Sequence, residues 1–128
     1  MKVSGYFFIM MMSVFTVLGQ VLIKWRLSAI NFSLQGDFSD KIYSIVGLAF
    51  DKFIFLGLFS AMVAAFFWMA AISKYNLSFA YPITVSLIAI MTVTSSVLIL
   101  GERLKFIEII GISIIIIGIL VMFYGQKT

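Results

Sequence analysis

Ser13, Thr16 and Gln20 stand three and four residues apart, and Lys24 follows four later. At about 100° per residue the first three fall within a sector of about 60°, so one helix would carry them as a stripe that ends in a cation. Such groups hydrogen-bond to a polar solute; they do not break bonds. The two hydroxyls can instead bond their own helix carbonyls. The Gln20 amide has more donors and acceptors than one carbonyl can satisfy. Further along, Tyr81, Thr84, Thr92, Ser95 and Ser96 form a second stripe, mostly on one side of their segment. Thr94 and Ser86 point elsewhere, where back-bonding to the helix is expected.

The chain has no cysteine and no histidine. That removes the thiolate and also the commonest general base and metal ligand. No acid lies deep in an apolar run, where proton-coupled carriers generally keep a titratable group. No phosphate-binding loop pattern occurs, so the chain does not use ATP directly. We therefore expect no catalytic residues, no metal, no cofactor and no enzymatic activity.

The elements that carry these stripes follow from composition. Hydrophobic residues make up 63% of the 128 and charged residues only 11%, against about 45–50% and about 25% in an ordinary soluble domain. So little polar surface cannot cover a water-facing globule, and a bilayer must replace the water. Charges mark the ends of four apolar runs, giving spans at about 3–23, 53–73, 77–101 and 106–125. About 20 helical residues cross a hydrocarbon core of ~30 Å, so each run suffices. The first run is too long for the apolar part of a signal peptide and is read as a retained helix.

The region 24–52 is the only sizeable polar segment. Asn31, Ser33, Gln35, Gly36 and Asp37 read as loop. From Ser39 on, the apolar residues recur at helical spacing, as either an interfacial helix or an extension of the second span. The other links are short and force antiparallel neighbours. The fold class is thus an all-α integral membrane protein, a single bundle of four transmembrane helices.

Small residues add to this. Gly57, Ala61, Ala64 and Ala65 suit close packing in the second span, and Gly111 and Gly118 share one face of the fourth. Pro82 is either a hinge or a helix-start proline. The net charge of +4 is scattered over the helix ends, which suits lipid phosphates rather than nucleic acid. Lys24, Arg26, Lys41, Lys52, Arg103 and Lys105 would lie on one side of the membrane and Lys2, Lys74 and Lys127 on the other. That bias favours both termini outside.

Thr16-Val-Leu-Gly19-Gln20-Val-Leu-Ile-Lys24, Ala80-Tyr81-Pro82, Gly101-Glu102-Arg103-Leu104 and the Gly111–Gly118 pair, in this order and spacing, resemble the small multidrug resistance superfamily of four-helix transporters. The resemblance covers nearly the whole chain except the 24–52 insertion. It also departs in detail. Thr16 stands where drug exporters carry a coupling glutamate, Thr84 stands at a tryptophan position, and flexible glycines are absent around Ser86 to Ile88. The glycine pair used for dimerisation is matched by Gly111 and Gly118. Gly-Gln, Ala-Tyr-Pro, Gly-Glu and the longer first loop are similar to the subunits proposed to flip aminoarabinose-phosphoundecaprenol.

That resemblance implies a translocase, or a translocase subunit, for a polyprenyl-phosphate-linked sugar in the bacterial inner membrane. It would work as a homodimer or beside a similar small membrane protein. Ser13, Thr16, Gln20, Tyr81 and Thr84 would line the path of the head group. Lys24 and Arg26, with Lys74 and Arg103 behind them, would catch the phosphate. Two other readings remain. One is a small-molecule or cation exporter with unusual coupling through Glu102 or Glu108. The other is a non-transporting subunit of a glycan-assembly complex.

Overall fold

The computed structural model describes residues 2–125; Lys127, counted above in the charge bias, lies outside them. The elements are α1 (Lys2–Ala29), α2 (Phe38–Ala49), α3 (Lys52–Ile72), α4 (Leu77–Leu100) and α5 (Phe106–Gly125), with no strand among the described residues. All but α2 are long and apolar enough to cross a membrane.

The charges locate the edge of the hydrocarbon, not the end of the helix. α1 has 28 residues, which at 1.5 Å each makes roughly 42 Å, well beyond a ~30 Å core. It runs past Lys24 and stops where Asn31 takes a left-handed φ of 48°. The Asn31 N–H then donates to the Ser28 carbonyl at 3.2 Å and the Phe32 N–H to Leu27 at 3.0 Å, a paired capping arrangement that closes the last turn. After the loop, α2 is a helix of its own rather than an extension of α3. The break falls at Phe50 and Asp51, where one Asp51 carboxylate oxygen accepts the Phe53 and Ile54 N–H groups at 3.0 and 3.3 Å and starts α3 afresh.

The other Asp51 oxygen accepts Arg26 Nε at 2.8 Å and Nη2 at 2.7 Å. One carboxylate therefore caps α3 and ties it to the end of α1. The Arg26 hydrogen bond holds the Asp51 carboxyl below its ordinary value of 3.8.

α1 and α3 make the most intimate contact in the bundle. A Cβ added to Gly19 would lie 2.6 Å from the Gly57 carbonyl oxygen, and one added to Gly57 would lie 3.0 Å from that of Gly19. Only glycine lets two backbones approach so closely. Ser60 Oγ donates across the same crossing to the Phe15 carbonyl at 2.6 Å. Because this face of α1 is given to α3, Gln20, about 100° round from Gly19, is turned toward α4.

α4 begins after the short turn 73–76, and Pro82 sits six residues into the helix, so it is not a helix-start proline. α4 ends at Gly101, whose φ of 68° is left-handed. α5 packs chiefly on α4, touches α1 through Phe123, and buries none of its residues. At the end of the bundle holding the α3–α4 turn, Ile9, Ala71, Phe79 and Ile83 form the core cluster. Tyr6, Tyr75, Phe79 and Phe123 close over it with ring centroids 5.3 to 6.3 Å apart, joining α1, the turn, α4 and α5.

Two outcomes follow. Gly19→Ala should destabilise the protein by about 1–3 kcal/mol, because the added methyl meets backbone that cannot turn aside. Thermal unfolding in detergent measures it, and an unchanged midpoint would mean the crossing is looser than described. The second concerns acid. A carboxyl with a lowered folded-state pKa contributes stability that is complete above 3.8 and is lost as pH falls through the lower folded value. Asp51→Asn keeps a capping side chain but loses the charge. Acidification should therefore lower the midpoint of the parent chain more than that of the variant; equal falls would remove Asp51 from the account.

Candidate functional site

The two sequence stripes meet at one point. Thr92 Oγ1 on α4 donates to Gln20 Oε1 on α1 at 2.8 Å, leaving the Gln20 NH2 without a partner among the described residues. Beside this bond lies a cavity of about 280 Å³ whose walls include Gln20, Lys24, Thr92, Ser96, Leu100 and Glu102. Its volume is near the small end of ordinary ligand pockets. At its mouth Lys24 Nζ faces Glu102 Oε1 at 3.7 Å. Their side chains are 58% and 46% exposed, and a pair so open is worth at most about 1 kcal/mol. Either charge can be drawn away by a better partner. The site thus offers an unpaired amide donor, one charge of each sign and two hydroxyl oxygens as acceptors, since Thr92 donates to Gln20 and Ser96 to the Val93 carbonyl at 2.9 Å.

Local structure explains why Glu102 is there. α1 and α4 run in the same direction, so their C-terminal ends share one side of the bundle. The left-handed Gly101 turns the chain back, and the Glu102 N–H donates to the Ser96 carbonyl at 3.1 Å, which holds the carboxylate over the cavity. Sequence reasoning did not pair Glu102 with Lys24, because the two lie far apart in the chain. The signal was available in the topology: Lys24 and Glu102 both follow directly on spans that end on the same side. The Glu108 carboxylate accepts the Lys105 N–H at 2.7 Å and so caps the start of α5.

The remaining expected path residues do not line this cavity. Ser13 and Thr84 are buried inside the bundle and donate to their own helix, to the Ile9 and Ala80 carbonyls, each at 2.8 Å. Bonded this way they impose no buried polar cost. Thr16 reaches only Met12 Sδ, at 3.9 Å. Tyr81 stands on the outside with its ring edge-on to Trp68, centroids 6.3 Å apart. Gln20, Thr92 and Ser96 therefore stand in the cavity wall, while Ser13 and Thr84 are buried away from it. Thr94, as expected, donates to its own helix at Ile90.

The four expected phosphate-binding cations separate as well. Lys24 is at the cavity. Arg26 is committed to Asp51. Lys74 lies at the opposite end of the bundle, where it donates to Ser4 Oγ at 2.9 Å and stands over the Phe8 ring. Arg103 lines a second cavity, of about 740 Å³, on the α5 side of Thr92, Ser96 and Glu102. Gly111 belongs to that cavity wall, and neither Gly111 nor Gly118 has anything within 4 Å of an added Cβ. No group of three or more acidic side chains that could hold a metal occurs among the described residues.

No curated protein and no solved structure matches the chain. The model of the EamA-like transporter family matches residues 3–124, nearly the whole sequence. Four long apolar helices and a polar cavity opening at one end are what a membrane transporter needs, and this multi-pass membrane protein belongs to the EamA-like transporter family.

Proposed function

We propose that the chain moves a polyprenyl-phosphate-linked sugar across the bacterial inner membrane, alone or as a subunit of the translocase. The observation that carries this reading is the neutral polar wall of Gln20, Thr92 and Ser96 with Lys24 at its mouth. A sugar phosphate cannot cross hydrocarbon unaided, since each unpaired polar group costs several kcal/mol. Hydroxyls and an amide replace the water around the sugar. Lys24 meets the phosphate once it leaves Glu102, and the weakness of that pair makes the exchange easy.

The two ends of the bundle suit such a cycle. The Lys24 end holds the cavity, and the other is sealed by the Phe79–Ile83 core and its aromatic rings. A carrier must be open to one side at a time. In the opposite state Ser13, Thr16 and Thr84 would become the open part of the track, with Lys74 at its far mouth. A second chain, identical or similar, would close the lipid-facing side. The open stripe of Gly111 and Gly118 is the surface we assign to it, because Gly111 borders the larger cavity and leaves room for another backbone.

A cation exporter is the second reading, and one observation favours it: Glu102 lines the same cavity as Gln20. The two readings predict opposite effects. We expect liposomes carrying the chain to exchange a fluorescent polyprenyl phosphosugar between leaflets, measured by an outer-leaflet quencher. Gln20→Leu and Lys24→Ala should abolish the exchange, while Glu102→Gln retains it. An exporter would instead lose cation transport in Glu102→Gln and show no lipid exchange. A packing subunit would tolerate Gln20→Leu without consequence.

A further inference from the structure

The cavities along α4 adjoin one another. The polar cavity and the larger one beside it share Thr92, Ser96 and Glu102. A third cavity, of about 350 Å³, lies across α4 and α5, with Ile90, Val97, Ile109 and Ser113 in its wall. It shares Val93, Leu104 and Ile112 with the larger cavity. Those three residues border both a space that begins at the polar cavity and one that is almost wholly apolar. α5 buries no residue, and its aromatic contacts to the bundle come from Phe123 at the far, sealed end. The seam is fastened at one end and thin at the other.

We infer that this seam seats the hydrocarbon chain of the lipid-linked substrate, an inference that rests on the translocase reading above. An amphipathic substrate has a head that needs the Gln20–Thr92–Ser96 wall and a tail that must never leave an apolar environment. A series of cavities running from polar to apolar, bordered by Val93, Leu104 and Ile112, meets both needs at once. The tail enters sideways between α4 and α5 with Val93 and Ile112 against it, while the head stays beside Lys24. The apolar cavity lies within two helices long enough to span the hydrocarbon, so the tail keeps contact with lipid throughout.

The cysteine-free chain allows a direct test. A polyprenyl phosphosugar bearing a mid-chain diazirine is photolysed with the unaltered protein in phosphatidylcholine vesicles. Label should concentrate on α4 and α5 around Val93 and Ile112. Phosphatidylcholine carrying the same diazirine should label the seam far less. Equal labelling by the two probes, or label confined to α2 and α3, overturns the inference, the first by making the seam an ordinary lipid contact.

In parallel, Val93→Cys/Ile112→Cys is bridged with a bifunctional thiol reagent. Exchange of the phosphosugar should fall to that of empty vesicles and return when the bridge is cleaved. Undiminished exchange with the bridge in place overturns the seam but leaves the translocase standing. Labelling reads occupancy without requiring transport. Seam label in vesicles that show no exchange would therefore support the seat and count against the translocase.

Discussion

Two helix backbones touch where Gly19 of α1 meets Gly57 of α3, and the arrangement of the polar groups depends on that contact. Between helices in lipid there is no hydrophobic driving force, because the tails are as apolar as leucine; close packing and interhelical hydrogen bonds must supply the attraction. Glycine on both sides permits the approach, and Ser60 adds a bond to the Phe15 carbonyl at 2.6 Å. Fixing one face of α1 also fixes the others. With Gly19 against α3, Gln20 and Lys24 must look toward α4, where Thr92 and Glu102 wait. A helix rotated by one residue would send the amide into lipid.

The polar groups of the bundle are then handled in two ways. At the sealed end Ser13 and Thr84 spend their hydroxyls on their own helices, and aromatic rings pack against the core cluster of Ile9, Ala71, Phe79 and Ile83. At the open end the groups face one another and a cavity, with capacity left over. The anchors differ in the same sense. The Arg26–Asp51 pair is the less exposed, at 30% and 18%, and also caps a helix, whereas Lys24 and Glu102 are loosely paired and open. One pair is shielded and hydrogen-bonded, and the other lies open to solvent.

Much of this was legible in the sequence, and the limits are physical. Four long apolar helices follow from runs without charge, because a charge in hydrocarbon is costly enough to mark each boundary. Helix ends are less visible, since α1 stops where Asn31 turns left-handed and not where Lys24 meets water. Whether the 38–49 segment stands apart from α3 was undecided, because the break depends on Asp51 capping one helix while holding Arg26 of another. At the site, Gln20 and Lys24 declared themselves by spacing. Periodicity cannot tell a hydroxyl facing a cavity from one facing a core, so Ser13 shared a stripe with Gln20, and Thr84 one with Thr92, and yet both lie inside. Glu102 was hidden for another reason: its importance comes from a partner 78 residues away, at 3.7 Å, across the ends of two parallel helices.

In the proposed translocase, the α1–α4 face of the bundle, and not its lipid face, is the wet, substrate-binding one. Thr94 and Ser96 are two residues apart and about 200° apart around α4, so they sample opposite sides. The direct measurement is the rate at which Ser96→Cys and Thr94→Cys react with a membrane-impermeant maleimide, with and without a polyprenyl phosphosugar. Fast labelling at position 96, slowed by the phosphosugar, beside an inert position 94 is the predicted result. Reaction at 94 as fast as at 96, or labelling at 96 that the phosphosugar leaves unchanged, would contradict it.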